Sequence, residues 1–135
     1  MTDAKIAIVV HADLPVWQKL NVTAFLASGL AAGNPAAIGR PYADASGRAY
    51  YSMFGMPALI FEADSAALRR CYERAIAREI KLAIYTRDLF STFNDIDNRA
   101  AVAAVESDAL DLVGIGLLAE RRLVDKAVDK LSMHR

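Results

Sequence analysis

The sequence has little cysteine, little histidine and no surplus of either charge. Cys71 is the one cysteine among 135 residues, which excludes an intramolecular disulfide and fits a reducing compartment, so we expect a cytoplasmic protein. The two histidines, His11 and His134, are far apart in sequence, so the chain contains no zinc-type ligand set. We therefore expect neither a metal ion nor a cofactor. Lys plus Arg (16) equals Asp plus Glu (16), which argues against binding driven by phosphate neutralisation.

Long apolar runs are also missing. None approaches the roughly 20 residues that span a bilayer, and the first residues lack a signal-peptide pattern, so we expect no membrane contact. Hydrophobic residues nevertheless make up 55% of the chain, which favours a large core, an apolar subunit interface, or both. The length suits one α/β domain over residues 1–135.

β-branched runs alternate with segments of helical periodicity, which is typical of α/β folds. The predicted strands are Lys5–His11, Ala58–Glu62, Leu82–Tyr85 and Leu110–Ile115. The predicted helices are Val16–Ala32, one that Asp64 or Ser65 caps, Asn94–Val105 and Ala119–Leu131. We expect a three-layer α/β/α arrangement in which helices cover both faces of a four-stranded mixed β-sheet. Segment 33–57 is rich in turn residues, with a turn at Asp44–Gly47, and its length suits a lid or a binding loop.

Several motifs have plain structural explanations. Gly114-Ile-Gly116 resembles part of a dinucleotide fingerprint, but no further strand and acidic residue follow, so we predict a tight turn between strand and helix. Cys71 shares a helical face with apolar residues, which is typical of a buried, inert thiol. Aromatic residues such as Phe25 and Phe90 are expected in the core, whereas Trp17 could lie in the core or beside a site.

Polar residues follow the first and third predicted strands, where ligands bind in α/β sheets. The two groups are His11, Asp13, Lys19 and Asn21, and Thr86, Arg87, Asp88, Ser91 and Thr92. If the two strands are neighbours, the groups meet, and a carboxylate beside a lysine or histidine could act as a base. Helix capping by Asp13 and Asp88 with ordinary surface polarity is the alternative, and spacing alone slightly favours it.

Three segments together resemble the type II peptidyl-tRNA hydrolases of archaea and eukaryotes. Segment 5–31 is similar to that family's opening strand, turn and helix, and 56–92 to its strand, helix and strand ending in an Arg-Asp pair. Segment 110–131 is similar to its last strand and helix, including Gly-Ile-Gly. The sequence looks still closer to an uncharacterised bacterial family, a domain of unknown function thought to share that fold. The resemblance implies a peptidyl-tRNA hydrolase II-like fold and, with the apolar content, a homodimer.

The resemblance also implies roles for single residues. Asp88 and Thr92 fall on the family's functional Asp and Thr, and Asp13 falls on its turn Asp. His11 replaces the family's Arg. The family's catalytic Lys falls on Asn21, so Lys19, which falls on another Lys of the family, would have to supply the cation.

Three functions remain open at this point. The first is a hydrolase-related enzyme acting on a small ester or amide, such as an acylated amino acid. Its predicted catalytic residues are Asp88, Lys19 and His11, and its predicted substrate-binding residues are Asp13, Asn21, Thr86 and Thr92. The second is a non-catalytic module that binds a small molecule or has a regulatory role. The third is genuine peptidyl-tRNA hydrolysis, which the six acidic residues and one basic residue between Asp88 and Asp111 disfavour, because tRNA phosphates require cations.

Overall fold

The computed structural model describes residues 3–135 and contains a five-stranded mixed sheet in the order β5-β6-β1-β4-β7. The strands are β1 (Ala4–His11), β2 (Tyr42–Ala43), β3 (Ala49–Tyr50), β4 (Ala58–Ala63), β5 (Ala83–Thr86), β6 (Leu112–Glu120) and β7 (Ser132–Met133). The helices are α1 (Val16–Gly33), α2 (Ser65–Ala77), α3 (Asp95–Ala103) and α4 (Arg121–Ala127). Strands β2 and β3 form a separate antiparallel hairpin. The expected mixed α/β fold is therefore confirmed.

Strand β1 is the centre of the sheet because its β-branched run is buried on both faces. It pairs parallel with β4 and antiparallel with β6, and β6 pairs antiparallel with β5. The carboxyl ends of β1, β4 and β5 therefore lie at the same edge of the sheet. However, β6 separates β1 from β5, so the two strands that carry the predicted polar groups are not neighbours.

Each face of the sheet packs against its own helices. On one face, alternate β1 residues such as Ile8 pack with Val22, Leu26 and Leu30 of α1. On the other face, Val9 and its neighbours pack with residues of α2 and α4, among them Leu68, Cys71, Ala75, Val124 and Ala127. Both clusters consist of side chains that are almost fully buried.

Gly114 and Gly116 lie inside β6, so the predicted tight turn at Gly-Ile-Gly is wrong. A Cβ atom at position 114 would lie 2.4 Å from Val22 Cγ1, and one at position 116 would lie 3.1 Å from Leu30 Cδ1. The glycines therefore leave room for α1 to lie directly on the sheet. Glycine in a strand commonly marks such a close approach.

The last segment is not the single helix that was predicted over Ala119–Leu131. Strand β6 continues to Glu120, α4 ends at Ala127, and Lys130 takes a left-handed φ of 68°. That turn lets β7 pair antiparallel with β4, so the sheet has five strands rather than the four expected. A two-residue strand carries too short a pattern to be read from sequence.

The predicted turn at Asp44–Gly47 is confirmed as the end of the β2–β3 hairpin, where Gly47 has a φ of 81°. Asp44 Oδ1 accepts backbone N–H groups of Ser46 and Arg48, and Tyr50 donates its hydroxyl to the same carboxylate. The Tyr50 hydroxyl, with those N–H groups, lowers the pKa of Asp44. Within residues 3–135, the structure contains no helix with the length and apolarity needed to traverse a membrane.

Candidate functional site

A cavity of about 510 Å³ opens at the carboxyl end of β5, between α1 and the segment that leads into α3. We call it the aromatic cleft. Its lining residues are Trp17, Asn21, Phe25, Tyr85, Leu89, Phe90, Thr92, Phe93, Asn94, Asp95 and Asn98. The residues on α1 occupy one side of that helix because positions 17, 21 and 25 are four apart. Volume and lining are of the kind that holds small molecules, with aromatic walls and a few polar groups.

The walls of the aromatic cleft are rings that meet at steep angles. Trp17 and Phe90 have centroids 6.3 Å apart at an interplanar angle of 66°. Phe25 and Tyr85 are 5.8 Å apart at 69°, and Tyr85 and Phe90 are 5.2 Å apart at 48°. The first two contacts are edge-to-face and the third is tilted, and together they hold the rings against one another. Two of the rings remain exposed, Trp17 by 63% and Phe25 by 51%.

A neutral tyrosine provides one polar group of the cleft. The side-chain amide of Asn21 donates to the Tyr85 hydroxyl oxygen over 3.3 Å, which joins α1 to β5. Burial raises the pKa of Tyr85, and the Asn21 hydrogen bond only partly opposes it. The phenol therefore stays protonated near neutral pH, and its O–H can donate to an oxygen atom in the cleft.

The segment after β5 is held by side-chain caps. The hydroxyl of Thr92 donates to the Leu89 carbonyl over 3.1 Å and also contacts Asn98 Oδ1. Asn94 caps α3 by accepting the Asp97 N–H over 2.8 Å. These contacts position the amide and hydroxyl groups along one side of the aromatic cleft, opposite α1.

His11 lies on the other face of the sheet from α1, where alternation along β1 places it with Val9. Its Nδ1 accepts the Asp13 backbone N–H over 3.1 Å, so its Nε2, 2.9 Å from Ser65 Oγ, is the protonated nitrogen of the neutral ring. His11 therefore donates to Ser65 rather than removing a proton from it. Asp13 is exposed and does not cap α1, whose N-cap is Pro15.

Lys19 lies on the side of α1 away from the aromatic cleft. Its Nζ is 3.1 Å from His134 Nε2, and Glu62 Oε2 is 3.7 Å from the same nitrogen. His134 is held there because its backbone N–H donates to the Ile60 carbonyl at the β4 edge. Lys19 is consequently next to β4 and β7, while Asp88 follows β5 at the other side of the sheet.

The remaining predicted residues lie at or near the end of β5. Asp88 is exposed on the short 3-10 helix Arg87–Ser91, whose Leu89 and Phe90 line the aromatic cleft. Arg87 forms an ion pair with Asp111 over 3.2 Å. Thr86 is 1% exposed, and its hydroxyl has no hydrogen-bond partner among the described residues.

The structure thus brings Asn21 and Thr92 together in one cavity, with Asp88 on the adjoining turn, but separates them from His11 and Lys19. The sequence reasoning missed Tyr85 and Asn98 as lining residues. Phe25, which was expected in the core, is 51% exposed, whereas Phe90 packs against the core as expected and also lines the cleft. The sequence did contain one signal of exposed apolar residues. Helix α1 has apolar residues on all sides, and a helix that covers one face of a sheet cannot bury all of them.

The free cysteine of the chain is buried. Burial raises the pKa of the Cys71 thiol to about 11, and nearby Arg74 only weakly opposes this, so the expected inert cysteine fits. Residues 3–135 contain no group of three or more His, Cys, Asp or Glu side chains arranged to hold a metal ion.

A second cavity, of about 490 Å³, lies at the opposite edge of the sheet, where α1 ends and β5 begins. Glu79, Lys81 and Glu120 are its charged lining residues, and no aromatic side chain of the described residues lines it. It is close in size to the aromatic cleft but lacks ring faces, so it serves as an internal comparison.

Residues 4–135 match the family model described as "Protein of unknown function (DUF2000)". The chain belongs to the DUF2000 family. A solved structure of a protein of unknown function from Agrobacterium tumefaciens strain C58 is 38% identical, with a TM-score of 0.96 and 100% of each chain covered. No curated protein matches the sequence. The expected resemblance to a domain of unknown function is confirmed, and a relation of DUF2000 to the hydrolase fold stays a prediction.

Proposed function

We propose that this DUF2000 protein binds a small organic molecule in the aromatic cleft. One observation carries the proposal: five aromatic rings, one of them a tyrosine with a protonated hydroxyl, surround one cavity that remains open to solvent. Three of these rings, Trp17, Phe25 and Phe93, are more than half exposed. Exposed aromatic surface that clusters around a cavity favours a ligand-binding role.

A thermal-shift screen of small metabolites tests the proposal, because a ligand that binds only the folded state raises its Tm. Phe93 and Tyr51 offer a matched pair of variants, since each is 93% exposed, Phe93 lines the aromatic cleft, and Tyr51 lines a separate cavity of about 710 Å³ at the β2–β3 hairpin. We expect Phe93→Ala to abolish most of the ligand-induced shift and Tyr51→Ala to preserve it. Equal losses in both variants, or no ligand in a broad screen, would contradict the proposal.

A hydrolase-related activity on a small ester or amide is the second candidate. It is supported by the resemblance of 56–92 to type II peptidyl-tRNA hydrolases and by Asp88, which adjoins the cleft on the same short helix as Phe90. In this function Asp88 would act without His11 or Lys19, which lie elsewhere. We expect Asp88→Ala to abolish turnover of an N-acyl amino acid ester without lowering Tm. Unchanged turnover would remove Asp88 from the mechanism.

A peptidyl-tRNA hydrolase II-like fold and hydrolysis of peptidyl-tRNA itself belong to this second candidate. The activity would require tRNA to approach the acidic residues between Asp88 and Asp111. The affinity of the protein for tRNA should then fall steeply as the salt concentration rises, because cations are released from the phosphates on binding. A flat salt response of any tRNA binding would exclude it.

A homodimer and a cytoplasmic location are further parts of the proposal. The homodimer is supported by large apolar side chains on the outer side of α1, where Val16 is 70% and Leu20 66% exposed. Light scattering that gives the monomer mass at micromolar concentration would exclude it. The cytoplasmic location rests on the free thiol of Cys71.

A further inference from the structure

The chemical composition of the aromatic cleft indicates the class of its ligand. Among the described residues, no lysine or arginine lines the cleft, and its one ionisable carboxylate is Asp95. The other lining groups are aromatic rings, amides, a threonine hydroxyl and a tyrosine that stays protonated. Building on the proposed small-molecule function, we infer that the ligand is an organic cation with an alkylated ammonium group.

The ring geometry suits such a group. The face of an aromatic ring is its negative region, and a cation within about 6 Å of the centroid is attracted to it, most strongly by tryptophan. Trp17, Phe25 and Phe93 are 63%, 51% and 93% exposed, so ring surface at three positions of the cleft remains accessible to a ligand. Rings that are accessible at several positions around one cavity can contact several methyl groups of one ammonium ion at once.

The charges around the cleft have the sign that a cation requires. The acidic residues between β5 and β6 are Asp88, Asp95, Asp97, Glu106, Asp108 and Asp111. The basic residues of this segment are already paired, Arg99 with Asp95 and Arg87 with Asp111. The segment therefore carries a net negative charge, which raises the local concentration of cations and lowers that of anions. The same acidity that disfavours tRNA favours an ammonium ligand.

Intrinsic fluorescence provides a direct assay, because Trp17 is the one tryptophan of the chain and lies in the aromatic cleft. The intact protein would be titrated with choline and, separately, with its neutral isostere, in which carbon replaces the ammonium nitrogen. The two molecules share a shape and differ in charge. We expect choline to quench or shift the Trp17 emission with roughly ten-fold higher affinity than the isostere.

Asp95→Asn keeps the size of the side chain, removes its charge and leaves the Arg99 guanidinium without its ion-pair partner beside the cleft, so we expect it to weaken choline binding several-fold and leave the isostere unaffected. Asp125→Asn, which removes the charge of another exposed, ion-paired aspartate, the partner of Lys5 outside the cleft, is the matched control and should change neither affinity.

Three results overturn the inference, and they separate it from the proposed function. Equal affinity for choline and the isostere refutes the cation preference but supports a cleft ligand. If neither choline nor the isostere binds, but the thermal-shift screen finds neutral ligands whose effect Phe93→Ala abolishes, the cation preference is again refuted and a cleft ligand is supported. If neither choline nor the isostere binds and the thermal-shift screen finds no ligand, the ammonium ligand and the proposed function are both refuted.

Discussion

The close approach of α1 to the sheet predicts that Gly114→Ala destabilises the fold and disturbs the aromatic cleft. A Cβ atom at this position would lie 2.4 Å from Val22 Cγ1 and 3.0 Å from Leu26 Cδ1, against about 3.5–4.0 Å for a normal carbon contact. Val22 is fully buried, and its β-branched side chain has a single preferred rotamer in a helix, so it cannot turn aside. Helix α1 must therefore move away by roughly 1 Å.

The cost follows from overpacking. An additional carbon in a tightly packed core costs about 1–3 kcal/mol, and replacing glycine returns about 0.5–1 kcal/mol by restricting the unfolded chain. We expect a net loss of roughly 1–2 kcal/mol in the free energy of unfolding. For 135 residues the upper figure corresponds to a decrease in Tm of roughly 7 °C.

Thermal and urea unfolding of wild type and Gly114→Ala measure this loss. Gly33→Ala is the control, because nothing lies within 4 Å of its added Cβ and its φ is not left-handed, so it should be neutral or stabilising by up to ~1 kcal/mol. Because Trp17 and Asn21 move with α1, Gly114→Ala should also weaken ligand binding. Equal stability of Gly114→Ala and wild type would refute the tight packing of α1 on β6.

Three further changes test other parts of the structure. Thr86→Val should stabilise the protein by roughly 1 kcal/mol in urea unfolding, because it removes a buried hydroxyl that has no hydrogen-bond partner within residues 3–135; a loss of stability would mean that the hydroxyl is used. Since the pKa of Cys71 is raised to about 11, the unfolded thiol loses its proton first, so the free energy of unfolding should fall as pH rises from 9 toward 11, and Cys71→Ala should flatten that slope. Arg69→Lys should lower Tm, because lysine lacks the rigid fork whose two terminal nitrogens bond the Ser107 and Leu110 carbonyls over 3.0 and 2.8 Å; an unchanged Tm would show that these bonds contribute little.

Elements with a local signal could be predicted from the sequence. The β-branched run of β1 and the periodicity of α1 fix both elements to within one residue of their observed bounds. Asp64 caps α2 as expected, with Oδ1 accepting the Ala67 N–H over 2.8 Å. These features depend on neighbours in sequence, which is why they can be read without the fold.

Elements that depend on distant contacts could not be predicted. Gly114 and Gly116 have the composition of a turn, and only the packing of α1 explains them within a strand. Strand β7 exists because β4 offers a free edge, and nothing in its own two residues indicates this. Tertiary context overrides local propensity in both cases.

The candidate site was predicted in part, for the same reason. The principle that ligands bind at carboxyl ends of strands led to Asn21 and Thr92, which do share the aromatic cleft. The sheet order, with β6 between β1 and β5, and the two faces of the sheet separate His11 and Lys19 from that cleft. Neither the order nor the faces can be derived from the spacing of polar residues.

The most direct test of the proposed function is an amide NMR titration of the intact protein with the best ligand of the thermal-shift screen. We predict shifts of the Trp17 indole N–H, the Asn21 side-chain amide and the backbone of 89–98, with residues 79–82 of the opposite cavity unchanged. Shifts confined to 79–82, or spread evenly over the surface, would contradict a binding site in the aromatic cleft.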